Sequence, residues 1–410
     1  MDIFDKQLPA LLLSLTQTEM PPYYHALETG DGEALLEGRR VVMTASNDYL
    51  GLSGDPRVKA AAGRAVDRYG TSCSGSRLIC GTLPLHKELE ERLAAFLGCE
   101  AALVTTTGFQ ANLALTALFG AGDIVFSDGA NHASLVDAIR LGAAAKRPYP
   151  HSDMADLERL LAAADPEAAK VIVTDGLFSM EGDLCRLPEL AALARRHGAR
   201  LVVDGAHDIG LLGARGRGVA EHFGMPDAID LHTGTLSKCF GSIGGFVAGS
   251  ADVIGYLRYS ARSVIFSASM PPASVAAALA ALDIIESEPE RRTRVLDLAG
   301  RLRSGLRALG FDTGDSTAIT PIIPVRIGDG ELCGQMWKEV LDEGVFTQAM
   351  VAPAVPLGEA LIRLAVQATH TDDHLTRILH AFAAAGRRLG LIASPGSHRA
   401  AAAVAKTGAV

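Results

Sequence analysis

The 410-residue chain contains little charge and no run of basic residues. Charged residues make up 21% of it, the net charge is −9, and arginines greatly outnumber lysines. Proteins that bind nucleic acid usually carry a clustered excess of Lys and Arg. We therefore expect no nucleic-acid partner.

Cysteine is also sparse, and it is not arranged for metal binding. The six cysteines include no Cys-x-x-Cys pair, and no cluster of His and Cys has the spacing of metal ligands. We therefore predict reduced thiols and no bound metal. The Cys239 thiol beside Lys238 fits a small core residue better than a nucleophile.

Long apolar runs are missing, and so is a signal-peptide pattern. The apolar stretch 8–15 is too short to span a bilayer and lacks a basic start, so it predicts an amphipathic N-terminal helix. The small-residue segment 393–410 predicts a poorly ordered tail. We expect a cytoplasmic protein with no integral membrane segment.

Hydrophobic residues, by contrast, make up 48% of the chain, which is enough for a large core. Between residues 60 and 250, short apolar runs alternate with helical patterns. This alternation predicts an α/β fold with a mostly parallel sheet and helices on both faces. The predicted strands are 101–105, 123–127, 170–174, 200–204, 229–234 and 244–249.

The pattern changes after residue 288, where longer helical segments separate a few short strands. We predict an N-terminal segment 1–55, a large domain 56–288, a small α+β domain 289–392 and the tail 393–410. The main helices predicted from the apolar periodicity are 187–197, 274–287, 290–309, 331–344 and 372–389.

The segment 233–245 places Lys238 among hydroxyl side chains and before a glycine-rich turn. Hydroxyls and backbone N–H groups suit a phosphate, and a lysine among them suits a Schiff base. Pyridoxal phosphate (PLP) is the cofactor that needs both. Because Gly and Ser also mark turns, the segment alone fits an ordinary strand and turn as well.

A second segment is the apolar run 200–203, which ends at Asp204 and is followed by His207. Ligands bind at strand ends in open α/β sheets. An Asp there can keep a pyridine nitrogen protonated, and His207 can reach the ring oxygen. A helix N-cap Asp and a surface His are the alternative.

Two further segments follow strand-like runs. Residues 105–112 have a strand–glycine–helix order that presents free N–H groups to a phosphate. Residues 127–134 carry His132, which can lie flat on a cofactor ring. Each segment alone also fits an ordinary loop.

Together, and in this order, the segments resemble the α-oxoamine synthases, a branch of the fold-type I PLP enzymes. The resemblance extends from about residue 40 to about residue 390. The matching motifs are 46–52, 69–77, 131–134, 178–183, 233–245, 266–272 and 363–370. The resemblance implies a homodimer with shared active sites.

The resemblance also implies the roles of four catalytic residues. Lys238 would carry PLP and later act as the base on the substrate α-carbon. Asp204 would pair with the ring nitrogen, and His207 would bond to the ring oxygen. His132 would stack on the ring.

Other residues of the resemblance would bind the cofactor and the substrate. Around the cofactor we expect the backbone N–H groups of Gly108 and Phe109, with Ser179 and Thr235. Ser267 would reach the phosphate from the partner subunit. At the substrate, we expect Asn47, and Arg363 as a bidentate partner of the amino-acid carboxylate.

The implied activity is decarboxylative condensation of an amino acid with an acyl thioester, which gives an α-amino ketone. Residues 244–246, 336–337 and 344–348 resemble serine palmitoyltransferases, and a relative of these, using a CoA or carrier-protein thioester, is the leading prediction. Residues 46–52 resemble 8-amino-7-oxononanoate synthases, so an alanine-using enzyme of that kind is the alternative.

Two other functions fit less well. A fold-type I aminotransferase or lyase would use the same lysine and aspartate, but residues 131–134 and 271–272 match the condensing branch. A non-catalytic subunit would lack the lysine.

One position departs from the family pattern. Gly205 stands where the residue between Asp204 and Ala206 is usually acidic, and Asp208 follows the histidine. We expect a neighbouring side chain to fill the space that glycine leaves. The alternative is that His207 has lost a supporting charge.

Overall fold

The computed structural model describes residues 23–393. The helix predicted around residues 8–15 and the tail after residue 393 lie outside the described residues. Within residues 23–393, no helix is both long enough and apolar enough to cross a membrane.

A seven-stranded sheet forms the centre of the fold, and its strands are β4 (Ala101–Thr105), β5 (Ile124–Asp128), β6 (Ala145–Tyr149), β7 (Lys170–Asp175), β8 (Ala199–Asp204), β9 (Leu231–Thr235) and β10 (Gly245–Gly249). Their order is β4-β10-β9-β8-β7-β5-β6. Strand β10 runs antiparallel to both of its neighbours, and the other neighbouring pairs are parallel. The predicted α/β fold with a mostly parallel sheet is confirmed.

The sequence did not predict β6. Four of its five residues are exposed, because it lies at the edge of the sheet. Its sequence is polar, as is common in edge strands, so it lacks the apolar run that marks a buried strand.

Polar residues end several parallel strands at the same edge of this sheet. Asp175 ends β7 and Asp204 ends β8, and the two residues are register partners. Thr233, near the end of β9, is the next partner of Asp204. Their polar side chains therefore gather where open α/β sheets bind ligands.

Helices cover this sheet, and they are α1 (Pro56–Tyr69), α2 (Pro84–Leu97), α3 (Gly108–Ala114), α4 (Ala133–Leu141), α5 (Met154–Ala162), α6 (Leu187–His197), α7 (Val219–His222), α8 (Ala251–Ser260), α9 (Arg262–Ile265) and α10 (Pro272–Ser287). Local sequence explains several ends. Proline lies at the first turn of α1, α2 and α6, and left-handed Gly98 and Gly198 end α2 and α6. The predicted helix 187–197 matches α6.

The C-terminal part begins with α11 (Pro289–Leu309), directly after α10. A three-stranded antiparallel sheet follows, in the order β11 (Ile322–Gly328), β14 (Ala360–Ala365) and β13 (Gln348–Met350). Helices α12 (Gly330–Asp342) and α13 (Asp372–Arg388) complete it, as predicted within a few residues. The junction of α10 and α11 coincides with the boundary predicted at residue 288, and the division into domains stays a prediction.

A third sheet joins the strands before residue 44 to one strand of the C-terminal part. Strands β1 (Leu27–Thr29), β2 (Glu33–Leu36) and β3 (Arg39–Met43) pair antiparallel, and β12 (Val345–Phe346) lies parallel to β3. This pairing holds the segment after β3, which carries Asn47 and Tyr49, close to β13 and β14. Buried apolar side chains from all three sheets form one continuous core cluster.

Candidate active site

A cavity of about 280 Å³ opens at the carboxyl ends of β7, β8 and β9. Its wall contains seven of the predicted site residues, which come from separate parts of the chain. These are Gly108, Phe109, His132, Asp204, His207, Thr235 and Lys238.

Lys238 lies in the loop between β9 and β10. Its Nζ atom is 2.7 Å from Nε2 of His207. Burial lowers the pKa of the Lys238 amine to about 8, although the nearby carboxylate of Asp204 favours the charged form. An amine with that pKa is partly unprotonated near neutral pH, so it can act as a nucleophile or a base.

Asp204 lies at the end of β8 and is 5% exposed. Its carboxylate accepts hydrogen bonds from Nδ2 of Asn112, at 2.6 Å, and from the backbone N–H of Ala206, at 2.9 Å. A carboxylate has about four acceptor positions, so acceptor capacity remains toward the cavity. Sequence reasoning gave no role to Asn112, although it ends the segment 105–112 that was predicted to face a phosphate.

A second buried carboxylate, Asp175, was missed by the sequence analysis. It lines the cavity beside Asp204, and one of its side-chain oxygens accepts from the backbone N–H of His132 at 3.2 Å. Burial and the Asp204 charge raise the pKa of Asp175 well above its usual value. Its position in the sequence was a signal for a site residue, because Asp175 ends an apolar strand just as Asp204 does.

His132 is the N-cap of α4 and lines the cavity. Its Nδ1 atom lies 2.7 Å from Oγ of Ser134, a residue that also contacts Asn112. Burial lowers the pKa of His132, and the charge of Lys238 acts in the same direction. The imidazole is therefore held in place and favours the neutral form.

His207 is fully enclosed between Lys238 and Tyr49. Its Nδ1 atom is 2.7 Å from the Tyr49 hydroxyl. Burial and the positive charges of Lys238 and Arg363 hold the pKa of His207 well below its usual value. Tyr49 belongs to the motif 46–52, but no sequence signal linked it to a histidine 158 positions away.

Arg363 lies on β14 and is 3% exposed, behind the cavity wall. Nη1 donates to Oδ1 of Asn47 and Oε1 of Gln348, at 3.1 and 2.9 Å. Nη2 donates to Asn47 Oδ1 and the Tyr49 hydroxyl, at 3.2 and 3.4 Å, and Nε donates to the carbonyl of Ser179. All five guanidinium N–H groups therefore have partners within the described residues.

Gln348 was part of a motif but received no role in the sequence analysis. It is the register partner of Arg363 on the neighbouring strand β13. Its Nε2 atom donates to the carbonyl of Ala45 at 2.7 Å. It thus ties the arginine to the segment that carries Asn47.

The other end of the cavity is formed by the first turn of α3 and the end of β9. A Cβ atom on Gly108 would lie 2.8 Å from Cβ of Thr235, so only glycine fits there without displacement. The Thr235 hydroxyl lies 2.8 Å from that of Ser237, and both residues line the cavity. Hydroxyl and backbone N–H groups therefore converge at this end.

Besides Asn47 and Arg363, two further predicted residues lie outside the cavity wall. The Ser179 carbonyl is a partner of Arg363, as described above. Oγ of Ser267 accepts from Nε2 of Gln110 at 2.9 Å. Within this chain, neither hydroxyl reaches the cavity.

The space beside Gly205 is filled. A Cβ atom there would contact Ile209, with Cγ1 at 2.6 Å, and Oδ1 of Asp208 at 2.7 Å. Asp208 is 1% exposed, and its other oxygen accepts from the backbone N–H of Val219 at 2.9 Å. The arrangement agrees with the expectation that a neighbour occupies this space.

The cysteines form no disulfide bonds. All six cysteines are free thiols. Cys239 is 1% exposed, and burial raises its pKa far above the ordinary value, as expected for a core residue. Among residues 23–393, no group of three or more His, Cys, Asp or Glu side chains could hold a metal ion.

Comparison with known proteins identifies close relatives. The family model for aminotransferase class I and II matches residues 39–401. The serine palmitoyltransferase of Sphingobacterium spiritivorum is 47% identical over 84% of this chain and 86% of its own length. The 8-amino-7-oxononanoate synthase of Geobacter sulfurreducens is 46% identical over 92% of this chain and 98% of its own length.

A solved structure is similar over nearly the whole chain. It is a lysine-to-alanine variant of serine palmitoyltransferase from S. paucimobilis with a bound PLP–myriocin aldimine. The TM-score is 0.93 and the identity 34%, over 96% of this chain and 100% of that chain.

Proposed function

The chain belongs to the aminotransferase class I and II family and, within it, to the α-oxoamine synthases, and on that basis we propose that it is a PLP-dependent acyltransferase. The reaction joins an amino acid to an acyl thioester. Its products are an α-amino ketone, carbon dioxide and a free thiol. The observation that carries the proposal is the buried Lys238 amine at the cavity that Asp204 and His207 also line.

The residues of the cavity fit PLP. A buried oxygen of Asn112 and one of Asp175 have no hydrogen-bond partner among the described residues, so polar capacity is left for a bound group. The Gly108 position admits no side chain, as a close approach of a phosphate to the backbone requires. When bound, PLP supplies an electron sink for the carbanion that forms at the substrate α-carbon.

Lys238 would hold the cofactor through Nζ and, once an incoming amine has released it, accept the α-proton at the same atom. Its pKa of about 8 suits both steps. Of its neighbours, Asp204 ends β8 and His207 lies in the turn after that strand. The sheet itself therefore positions the amine.

Three residues would orient the cofactor ring. Asp204 would hold a proton at the ring nitrogen through its remaining acceptor capacity. His207, whose Nε2 lies toward the cavity, would donate to the ring oxygen. His132, fixed by Ser134, would stack on the ring.

The phosphate would lie at the converging donors of the first turn of α3 and the end of β9. Backbone N–H groups of Gly108 and Phe109 and the hydroxyl of Thr235 would bind it there. Ser179 would act from behind the wall, where its carbonyl holds Arg363. Ser267 would supply a further hydroxyl to the site of the partner subunit, and its position outside the cavity wall of its own chain is compatible with that role.

The amino-acid carboxylate would bind at Arg363 and Asn47. Both lie just behind the cavity, and Tyr49 connects them to His207. Since all five N–H groups of Arg363 have partners, the carboxylate must replace one or two of them when it binds.

A homodimer with shared sites is part of the proposal. Large apolar side chains are exposed around the cavity mouth, and Phe109 and Ile243 among them line the cavity. Ile79 and Phe266 are 80% and 73% exposed, and a bridge between Ser76 and Ala268 brings their segments together. An apolar patch of this kind supports burial against a second copy of the chain.

A cytoplasmic location is also part of the proposal. The six free thiols are in keeping with the cytoplasm.

The dimer is tested by mixing two inactive variants. Lys238→Ala lacks the amine, and Ser267→Trp blocks the surface that would face the partner's cofactor. If sites are shared, heterodimers contain one intact site and recover part of the activity. No recovery after subunit exchange, or an active monomer by light scattering, would refute shared sites.

Of the two candidate reactions, the one catalysed by serine palmitoyltransferases is the leading proposal. The relatives of that name and the S. paucimobilis structure support it. The Geobacter relative supports, nearly as strongly, an alanine-using 8-amino-7-oxononanoate synthase.

Spectral titration separates these possibilities. Glycine, alanine and serine are added in turn to the PLP-loaded protein, and acyl thioesters follow. The amino acid that is the natural substrate should change the visible absorbance at the lowest concentration. With that amino acid bound, added acyl thioester should release its thiol. Amino-group transfer to a keto acid without thiol release would instead support an aminotransferase.

A further inference from the structure

Tyr49 connects the substrate arginine to the cofactor histidine. Its side chain is completely buried, and its hydroxyl has three polar neighbours. Nδ1 of His207 lies at 2.7 Å, Oδ1 of Asn47 at 3.2 Å and Nη2 of Arg363 at 3.4 Å. The phenol has a single proton, so these neighbours decide where it points.

The proton of the Tyr49 hydroxyl goes to the histidine. Oδ1 of Asn47 is the other acceptor within reach of this hydroxyl, at 3.2 Å, but it already accepts N–H groups from Nη1 and Nη2 of Arg363, at 3.1 and 3.2 Å. An amide oxygen has two lone pairs, so these contacts occupy it. Arg363 can only donate. Nδ1 of His207 is thus the acceptor, and it is also the nearest atom.

This hydrogen bond determines the tautomer of His207. The ring is neutral because burial and the charges of Lys238, Arg363 and His132 hold its pKa well below the usual value. A neutral imidazole carries one N–H, and when Nδ1 accepts, the proton is on Nε2. Nε2 faces the cavity, 2.7 Å from Nζ of Lys238, and it can donate to that nitrogen once the amine has lost its charge or has been taken up in the linkage to PLP.

We propose that Tyr49 is a positioning residue that fixes His207 in the Nε2–H tautomer, so that the ring presents a donor to the oxygen of the cofactor. This inference rests on the proposed PLP site. Among residues 23–393, Tyr49 is the partner of Nδ1. Without its hydroxyl, the ring can take the other tautomer, whose Nε2 lone pair repels an anionic oxygen.

The tautomer can be measured directly in the full-length protein labelled with ¹⁵N-histidine. The His207 signals are those that disappear in His207→Gln. Above the Lys238 pKa of about 8, where that amine is neutral and can accept, nitrogen chemical shifts of the wild type should show a protonated Nε2 and an unprotonated Nδ1, before and after PLP is added. A protonated Nδ1 in the wild type would overturn the inference without any Tyr49 variant.

The second measurement is the pH midpoint of the visible absorbance of the PLP-loaded protein. In Tyr49→Phe, the ring oxygen loses its donor, so the protonated form of the lysine linkage gains stability. The midpoint should rise by about one pH unit, which is a tenfold change in proton affinity. Tyr149→Phe, which removes another buried hydroxyl at the end of β6, should leave both the tautomer and the midpoint unchanged.

The two proposals fail in different ways. If PLP binds and Tyr49→Phe keeps the wild-type tautomer and midpoint, the inference is wrong and the proposed function stands. If PLP does not bind, the proposed function is wrong, and the nitrogen shifts of the protein as purified, measured above the Lys238 pKa of about 8, still decide the role of Tyr49.

Discussion

Oδ1 of Asp208 would lie 2.7 Å from a Cβ atom built on Gly205, so these two residues share one small space beneath the cavity. The chain therefore carries a buried acid at 208 and no room for one at 205. The two positions give two separate predictions.

Gly205→Glu should destabilise the protein. The new side chain meets Ile209 and the Asp208 carboxylate, and burial of an unpaired carboxylate costs about 3 kcal/mol or more. The thermal melting temperature should fall, and expression with it. Gly255→Glu is the control, because a Cβ atom at Gly255 meets nothing within 4 Å. A normal melting temperature, with unchanged kinetics for glycine, alanine and serine, would show that position 205 is neutral.

Asp208→Asn should stabilise the protein at alkaline pH relative to the wild type. Burial raises the pKa of Asp208 to about 7 in the folded state, whereas the unfolded value is about 3.9. Between these values the unfolded chain has lost a proton that the folded protein keeps, so wild-type stability falls as pH rises through this window. The gain of the variant should grow from pH 4 to pH 8 by up to about 4 kcal/mol. A pH-independent difference in chemical denaturation would contradict the buried, protonated acid.

Arg363→Lys should weaken amino-acid binding about ten-fold or more, since a lysine cannot make a planar bidentate contact. PLP content should stay the same, because Arg363 lies on β14, outside the cavity wall. Binding is followed by spectral titration, and PLP by absorbance after denaturation. Equal losses of cofactor and amino acid would make Arg363 structural, and an unchanged affinity would put the carboxylate elsewhere.

Glu90→Gln should lower stability by about 3 kcal/mol, because it leaves a buried arginine without its counter-charge. Oε1 of Glu90 lies 2.8 Å from Nη2 of Arg77, and the two side chains are 6% and 8% exposed. The same oxygen accepts the backbone N–H of Val104 at 2.9 Å. Glu91→Gln, at the exposed next position of α2, is the control and should melt like the wild type. If both variants melt at the same temperature, the ion pair of Glu90 and Arg77 adds nothing to the stability of the fold.

The fold was predictable where apolar patterning was strong. Strand β8 has the apolar run 201–203 at its centre, and α6 carries both a proline start and a glycine end. Strand β6 is polar because it lies at the sheet edge, so no local pattern marked it. The reversal of β10 depends on which strands become neighbours, and a local pattern does not contain that information.

The site was predictable where a residue and its chemistry lie in one motif. Lys238, Asp204 and His132 follow strands in segments that already suggested a cofactor. Asp175 was missed because its closeness to Asp204 depends on β7 and β8 being neighbours. Gln348 was missed for a similar reason, since its contact with Arg363 depends on strand register.

The condensation itself is tested most directly by counting products. The protein, loaded with PLP, is incubated with carboxyl-¹³C serine or alanine and an acyl thioester, and labelled carbon dioxide, free thiol and amino ketone are measured by mass spectrometry and thiol assay. One carbon dioxide and one thiol should form for each amino ketone, and Lys238→Ala should form none of the three. Thiol release without labelled carbon dioxide, or amino-group transfer in place of the ketone product, would contradict the proposed condensation.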